Sequence, residues 1–378
     1  MNILMLNYEF PPIGGGAGKV HLNILKEYSK RNDLSIDVLT SAPQPENQII
    51  KLSDNINIHK VGVHKKNLHF WRKTEILEWI VKAGPYYKKM IKNKKYDLVH
   101  SFFGFPTGWF CYRSRNKIPY IISLRGSDVP GKNLRFAFEY KLLGIAFKAI
   151  WKNAHTLIAN SEGLKQRALR FYPQVKIDVI PNGVDIEKFH PLPENRAKKS
   201  DVIRLITVGR LSITKRVDIL IDTVKILVEQ GKNVKLLIVG GGSLKDSLEK
   251  LAAQKNLADF IEFRGIADSE QMPQFYRNSD LYISATMQEG MSNAMLEAMA
   301  SGLPIITTPC EGIDELIKEN GVIVKDETAN GIAKAISELV MNIEKLKSMS
   351  DAARKHSENF TWQSISQAYL KFYQKILS

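Results

Sequence analysis

Residues 281–307, LYISATMQEGMSNAMLEAMASGLPIIT, spell a strand, a loop, a helix and a second strand. Leu281–Ser284 and Pro304–Thr307 are short, apolar and β-rich, bounded by turn residues, which is how buried strands read. Between them, Ser292 is placed to cap a helix over Asn293–Ser301, its hydroxyl accepting from a backbone N–H of the first turn. Glu289 then lies in the loop before the helix and Glu297 in its second turn. Carboxylates there can accept from sugar or ribose hydroxyls, and the helix N-terminus between them can meet a phosphate. A plainer reading stays open, since Glu is a good helix former and is often merely exposed.

The same strand–helix alternation extends outward over the whole chain. Strands are predicted at Ile3–Leu6, Ile36–Thr40, Ile56–Val61, Leu98–Ser101, Tyr120–Leu124, Thr156–Ala159 and Lys176–Ile180. A second set follows at Ile203–Val208, Lys235–Val239, Phe260–Phe263, the two strands above, and Val322–Val324. Helical patterns separate most of them, so the fold class is α/β, with parallel sheets covered by helices on both faces. The 378 residues suit two domains. The break is expected at Phe189–Asp201, FHPLPENRAKKSD, which is charged, Pro-rich and without apolar periodicity. Domains of 1–190 and 191–360 result, and the chain closes with a helix at about Trp362–Leu377. Doubly wound sheets bind ligands at the carboxyl ends of their strands, which places the site in a crevice between the domains.

Two further motifs stand at such strand ends. Pro11-Pro12-Ile13-Gly14-Gly15-Gly16-Ala17-Gly18 lies between the first strand and an amphipathic helix. Glycines let backbone N–H groups approach a ligand, and the helix start adds partial positive charge. The loop is either a phosphate or sugar cradle or a flexible turn. It is no P-loop, because Lys19 is not followed by Ser or Thr. Gly209-Arg210-Leu211, with Lys215 and Arg216 beyond, opens the second half. Arg can grip phosphate oxygens in pairs and Lys adds a point charge, although both are also common in solvated loops. Arg125-Gly126-Ser127-Asp128, Asn160-Ser161-Glu162 and Pro181-Asn182-Gly183-Val184-Asp185 each follow a strand. Alone, they read as turns. His100 ends a strand, where a lone His is more often structural than catalytic.

Charge is unevenly placed. The net charge is +15, and residues 1–190 hold 30 Lys/Arg against 15 Asp/Glu, so the first half carries all of it. That half is expected to meet an anionic surface: nucleic acid, anionic lipid or polyphosphate. Residues 64–73, HKKNLHFWRK, mix bases with aromatics, and lysines crowd Tyr86 and Tyr87. A helical pattern over about Leu134–Trp151, apolar on most sides, brings Lys141, Lys148 and Lys152 together. It suits either an interfacial helix or a core helix with its lysines in water. Cys111 and Cys310 make no disulfide framework, which fits a reduced, cytoplasmic setting. The opening MNILMLNYEF reads as a strand, not a leader, and no apolar run reaches a membrane span.

In this order, the motifs resemble glycosyltransferase family 4, the retaining enzymes of the GT-B architecture. The carriers are Gly14-Gly15-Gly16, NSE at Asn160, IPNGVD at Ile180, GRL with Lys215, and EGMSNAMLEAMASGLP at Glu289–Pro304. The resemblance spans essentially the whole chain. It implies two Rossmann-like domains facing a central cleft, with the second binding a nucleoside diphosphate sugar (UDP- or GDP-linked) and the last helix packing back on the first. By that resemblance Arg210 and Lys215 hold the diphosphate, with Gly209 beside them. Glu289 lies beside the transferred sugar, and Glu297 accepts from the ribose. The backbone of Met291, Ser292 and Asn293 lies against sugar and diphosphate, and Gly15 and Gly16 approach from the other domain. Glu289, Arg210 and Lys215 are thus the expected catalytic set, with His100, Arg125 and Asp128 on the acceptor or sugar side.

Some positions depart from the family pattern. Arg125 stands where many members have a His, and a guanidinium stays protonated, so it cannot be a general base. Gly-Met-Ser-Asn replaces the usual GxPN, and Glu311-Gly312-Ile313 stands where a Gly-Gly pair is common. No acidic or His/Cys cluster appears in the expected crevice, so no metal and no cofactor are expected. The resemblance implies departure of the diphosphate from the sugar's front face, with retention and no protein nucleophile. The basic first domain points to a lipid-linked or cell-envelope acceptor, as in lipopolysaccharide, O-antigen or capsule assembly. Peripheral attachment to the anionic inner face of the plasma membrane would follow. A GT-B epimerase or phosphorylase is the alternative within the enzymes. A basic nucleic-acid-binding protein is the alternative outside them, and no nucleic-acid-binding signature supports it.

Overall fold

The computed structural model describes residues 1–68, 70–131, 140, 142–191 and 201–378. Lys141, most of the linker after Pro191 and the start of the helical pattern at Leu134 lie outside the described residues. The chain forms two units, one of Met1–Asn182 with Trp362–Ser378 and one of Gly183–Thr361. It therefore crosses between units at Asn182, ahead of the Pro-rich stretch, and returns at Trp362.

The first unit is an eight-stranded sheet in the order β3-β4-β2-β1-β5-β6-β7-β8. Its strands are β1 (Asn2–Leu6), β2 (Ser35–Ala42), β3 (Gln48–Ser53), β4 (Ile56–Gly62), β5 (Leu98–Phe102), β6 (Tyr120–Ser123), β7 (Thr156–Ala159) and β8 (Ile177–Val179). Every pairing is parallel except that of β3 with β4. β3 is the strand the sequence reading lacks. Ile49 and Ile50 are 64% and 41% exposed, so it carries no buried apolar face to announce it. It is held by edge hydrogen bonds to β4 instead.

Among the described residues the helices of this unit include α1 (Gly16–Tyr28), α2 (Lys73–Asn93), α3 (Thr107–Ser114), α4 (Gly144–Lys152) and α5 (Glu162–Phe171). Ser161 caps α5 by accepting from Leu164 N at 3.1 Å, a contact whose loss costs about 1 kcal/mol. The last helix, Trp362–Leu377, also belongs here. It turns Ile365, Tyr369, Leu370 and Tyr373 into the core, and the Tyr28 hydroxyl of α1 donates to Ser366 O at 3.0 Å.

The second unit is a six-stranded parallel sheet in the order β11-β10-β9-β12-β13-β14. Its strands are β9 (Ile203–Val208), β10 (Val234–Val239), β11 (Ile261–Gly265), β12 (Leu281–Ser284), β13 (Ile305–Thr307) and β14 (Gly321–Ile323). The helices between and after them are α6 (Val217–Glu229), α7 (Lys245–Gln254), α8 (Met272–Arg277), α9 (Asn293–Ala300), α10 (Ile313–Leu316), α11 (Ala329–Val340) and α12 (Ile343–Ser357). Strand order reverses at β9, which pairs with β10 on one side and β12 on the other. β1 holds the same place in the first unit, between β2 and β5. The carboxyl ends of these strands are the switch points at which open α/β sheets bind ligands.

Candidate functional site

In the second unit the loops after β9, β10 and β12 converge. The chain leaving β9 runs beside the glycines that follow β10: Gly209 N donates to Val239 O at 3.0 Å and Leu211 N to Gly241 O at 2.9 Å. A side chain at Gly240 or Gly242 would collide with the carbonyl oxygens of Gly209 and Leu211. Only glycine permits this approach, so two backbone strips line the site together. The Gly240–Gly242 run was not singled out in the sequence, although its position directly after an apolar strand was a usable signal.

A 3₁₀ turn, Ile213–Lys215, follows. Met287 N donates to Thr214 O at 2.9 Å, which fastens the loop after β12 to this turn. The Lys215 ammonium and the Glu289 carboxylate consequently meet in an ion pair, each side chain about a fifth exposed. Arg216 has a positive φ of 45°. Its guanidinium donates to Ala285 O at 2.8 Å and to Glu327 at 2.9 Å, so it braces the loops. Arg210 is exposed and pairs with no carboxylate among the described residues.

Ser292 caps α9, accepting from Met295 N at 3.3 Å, as its sequence position predicts. Met291 and Ser292 are buried and Asn293 half-buried. Glu297 lies one turn into the helix and accepts from the Tyr276 hydroxyl at 2.9 Å. Burial and the Glu297 charge raise the Tyr276 pKa well above its ordinary value, so the phenol keeps its proton and remains a donor. Tyr276 has no local motif. Only the packing of α8 on α9 brings it to Glu297.

In the first unit Gly15 stands at the N-cap of α1 and Gly16 is its first residue. Asp128 is buried, its carboxylate accepting from Gly104 N at 2.7 Å and Arg125 N at 2.8 Å. Burial raises its pKa. Arg125 lies over the Phe102 ring at 4.8 Å and donates to Asn182 Oδ1 and the Tyr369 hydroxyl, both at 3.0 Å. Asn182 belongs to the Pro181–Asp185 turn marked in the sequence, whereas the contact with Tyr369 is not legible there, because Tyr369 comes from the far end of the chain. His100 is fully buried, with Nδ1 2.6 Å from the Tyr373 hydroxyl and Nε2 2.8 Å from Ser123 Oγ. Burial holds its pKa well below the usual value, so it is neutral and engaged at both nitrogens.

The second unit thus offers cations in the loop after β9, Glu289 in the loop after β12, and the N-terminus of α9 with Glu297 one turn into it. That set can hold an anion beside hydroxyl-bearing groups. Among the described residues no three His, Cys, Asp or Glu side chains gather as a metal site.

Comparisons with known proteins show the family and the fold. Residues 14–188 match the family model described as Glycosyltransferase Family 4, and residues 189–356 the model described as Glycosyl transferases group 1. An uncharacterized glycosyltransferase of Methanocaldococcus jannaschii is 27% identical over 100% of this chain and 99% of its own length. Sucrose-phosphate synthase from Thermosynechococcus elongatus superposes with a TM-score of 0.83 at 20% identity, over 99% of this chain and 98% of that one. Anabaena HepE, solved with UDP-glucose, gives 0.76 at 19% identity, over 99% and 100%. Both likenesses show the GT-B fold.

Proposed function

This chain belongs to the family 4, group 1 glycosyltransferases, which take a sugar from a nucleoside diphosphate sugar, and from that premise we propose a retaining enzyme with a lipid-linked or cell-envelope hydroxyl acceptor. The observation that carries the site assignment is the ion pair of Lys215 with Glu289 beside the exposed Arg210 and the N-terminus of α9. Developing charge on a leaving diphosphate needs cations already in place, and Arg210 and Lys215 stand at the strand end where it would develop. Arg210 and Lys215 take the diphosphate, with Gly209 and Gly240–Gly242 letting it reach the backbone. Glu289 accepts from the transferred sugar and offsets its oxocarbenium charge. Glu297, steadied by Tyr276, accepts from the ribose. Met291, Ser292 and Asn293 supply the helix start to the sugar and phosphates. Gly15 and Gly16, at the start of α1 in the first unit, stand where backbone N–H groups suit an anion.

On the acceptor side, Asp128 and His100 are positioning residues, since their polar atoms are engaged within the protein. Arg125 serves phosphate or sugar recognition as a fixed cation. HepE's complex with UDP-glucose supports a UDP-sugar, with a GDP-sugar the second candidate. A lipid-linked acceptor is supported by the positive excess of the first half. Anionic membrane on the cytoplasmic side, with no nucleic-acid partner, is the matching environment. Among the described residues no helix is long and apolar enough to cross a membrane.

The test is a panel of UDP-, GDP- and ADP-sugars with lipid-diphosphate sugars, read by mass spectrometry. A product one sugar heavier, with the anomeric configuration of the donor, is expected. Epimerised or phosphorolysed donor with no transfer would replace the proposal by an epimerase or phosphorylase.

A further inference from the structure

An apolar groove of about 350 Å³ opens in the first unit, a size at the lower end of small-molecule sites, roughly 300–1,000 Å³. Tyr8 and Phe105, which follow β1 and β5, contribute its floor. Ile76 and Ile80 of α2 make one wall, and Leu143 and Phe147 at α4 the other. The groove thus adjoins the carboxyl ends of the central strands, where an acceptor is expected.

Polar groups in it are already engaged. Both oxygens of the Asp128 carboxylate accept backbone N–H groups, and the Tyr140 hydroxyl donates to Ser127 O at 3.1 Å. A saccharide lodged there would lose water from its hydroxyls and gain little in return. An alkyl chain would lose nothing by entering.

The apolar surface continues outside the groove. Leu77 and Val81 on α2 are 60% and 65% exposed, and Leu142 and Ile145 at α4 are 68% and 88% exposed. Leu77 lines the groove, and the other three lie on or beside the two helices that wall it, so they are more than scattered exposed residues. Both helices then turn basic, with exposed Lys82, Lys88, Lys89 and Lys92 on α2 and Lys148 and Lys152 on α4. Lys73 lines the groove itself.

We propose that this groove holds the hydrocarbon chain of an amphipathic acceptor with an anionic head group, the chain entering from a bilayer. Charge complementarity selects that class over a neutral lipid, since apolar walls and a lysine-rich surround occur on the same two helices. The proposal rests on the lipid-linked acceptor reading and names the part of the acceptor held here.

Brominated alkyl phosphates, kept below their aggregation concentration, are the probe. Trp71 and Trp79 lie 5.1 and 6.2 Å from the Tyr8 ring, so bromine in the groove should quench indole fluorescence. Affinity should rise about fourfold per added methylene from hexyl to dodecyl until the groove fills. Excess inorganic phosphate should not displace the chain. Leu77→Asp combined with Leu143→Asp, both at exposed positions, should weaken dodecyl phosphate binding at least tenfold. Ile80→Trp, which fills the groove, should do the same. Calorimetry with UDP should give wild-type affinity in each variant and thermal unfolding should report an intact first unit. Affinity indifferent to chain length, full displacement by inorganic phosphate, or undiminished binding in the folded double variant would overturn the proposal. Sugar transfer to water-soluble acceptors is a separate readout. Chain binding without transfer to any lipid-linked acceptor would uphold the groove and remove the acceptor reading.

Discussion

Lys215, at the end of a 3₁₀ turn after β9, is ion-paired with Glu289, in the loop after β12. The two strands are neighbours in the sheet although 74 residues separate the two side chains. A cation assigned to the leaving diphosphate and a carboxylate assigned to the sugar thus hold one another before either has a substrate. Lys215→Ala should lower kcat/KM at least about tenfold, since one charge-assisted contact is worth roughly 1.5–3 kcal/mol. Wild-type kinetics from a folded Lys215→Ala enzyme would remove Lys215 from the site.

The two glutamates should separate in their effects. Glu289→Ala should depress kcat more than nucleotide binding, because its proposed partner is the reacting sugar. Glu297→Ala should weaken binding of the free nucleoside diphosphate, because its proposed partner is the ribose. Tyr276→Phe should follow Glu297→Ala with a smaller loss, near the roughly 1 kcal/mol of a single hydrogen bond. Calorimetry with UDP and GDP on the three variants decides, and the reverse order would exchange or cancel the two roles.

The proposed neutralisation of the diphosphate by Arg210, Lys215 and the start of α9 would make metal dispensable. Activity after exhaustive chelation should be largely retained. Abolition by EDTA with recovery on added Mg²⁺ or Mn²⁺ would show that these groups are insufficient.

Stability of the first unit should fall in mild acid. His21 is fully buried and stacked on Phe102 at 4.2 Å. Burial, and then the charge of Arg125, bring its pKa down to about 3. Unfolded, it titrates near 6.5, so below that pH the unfolded chain takes a proton the folded one refuses. The stability is therefore complete above about pH 6.5 and lost progressively toward pH 3, by about 2 kcal/mol at pH 5 for this group. His100 shifts in the same direction, while Asp128, whose pKa burial raises, opposes them at low pH. Urea midpoints at pH 7.5 and 5 should show the loss, and His21→Gln should reduce it. An equal loss in that variant would assign the acid sensitivity elsewhere.

The basic helices should bring the first unit to anionic membranes. Each Lys or Arg near such a surface contributes roughly 1 kcal/mol, so several suffice for reversible attachment. Vesicles containing phosphatidylglycerol should sediment the protein at low salt and release it at high salt, where screening shortens to a few ångströms. Neutral vesicles should leave it in solution. Equal recovery in every supernatant would count against the membrane as a partner.

Local sequence determined the fold class and picked out most of the residues proposed for the second unit's site. Strands such as Leu281–Ser284 and the cap at Ser292 are set by burial, periodicity and hydrogen bonds within a few residues, so they are legible in the chain itself. The order of its motifs, from Gly14-Gly15-Gly16 through Asn160, Ile180 and Gly209 to Glu289–Pro304, carries the family resemblance. Tertiary structure alone decided which of these groups touch. Lys215 meets Glu289 because strand order reverses at β9 and the Thr214 carbonyl fastens the loop after β12. Tyr276 reaches Glu297 through helix packing, and Arg125 finds Tyr369, 244 residues away, only because the last helix returns to the first unit. The edge strand β3 is not legible in the sequence because its apolar residues face water, nor is the groove beside α2, because its lining comes from five separate segments. Propensity and capping act over a few residues, whereas pairing across a sheet is fixed by topology, and sequence spacing carries no record of that distance.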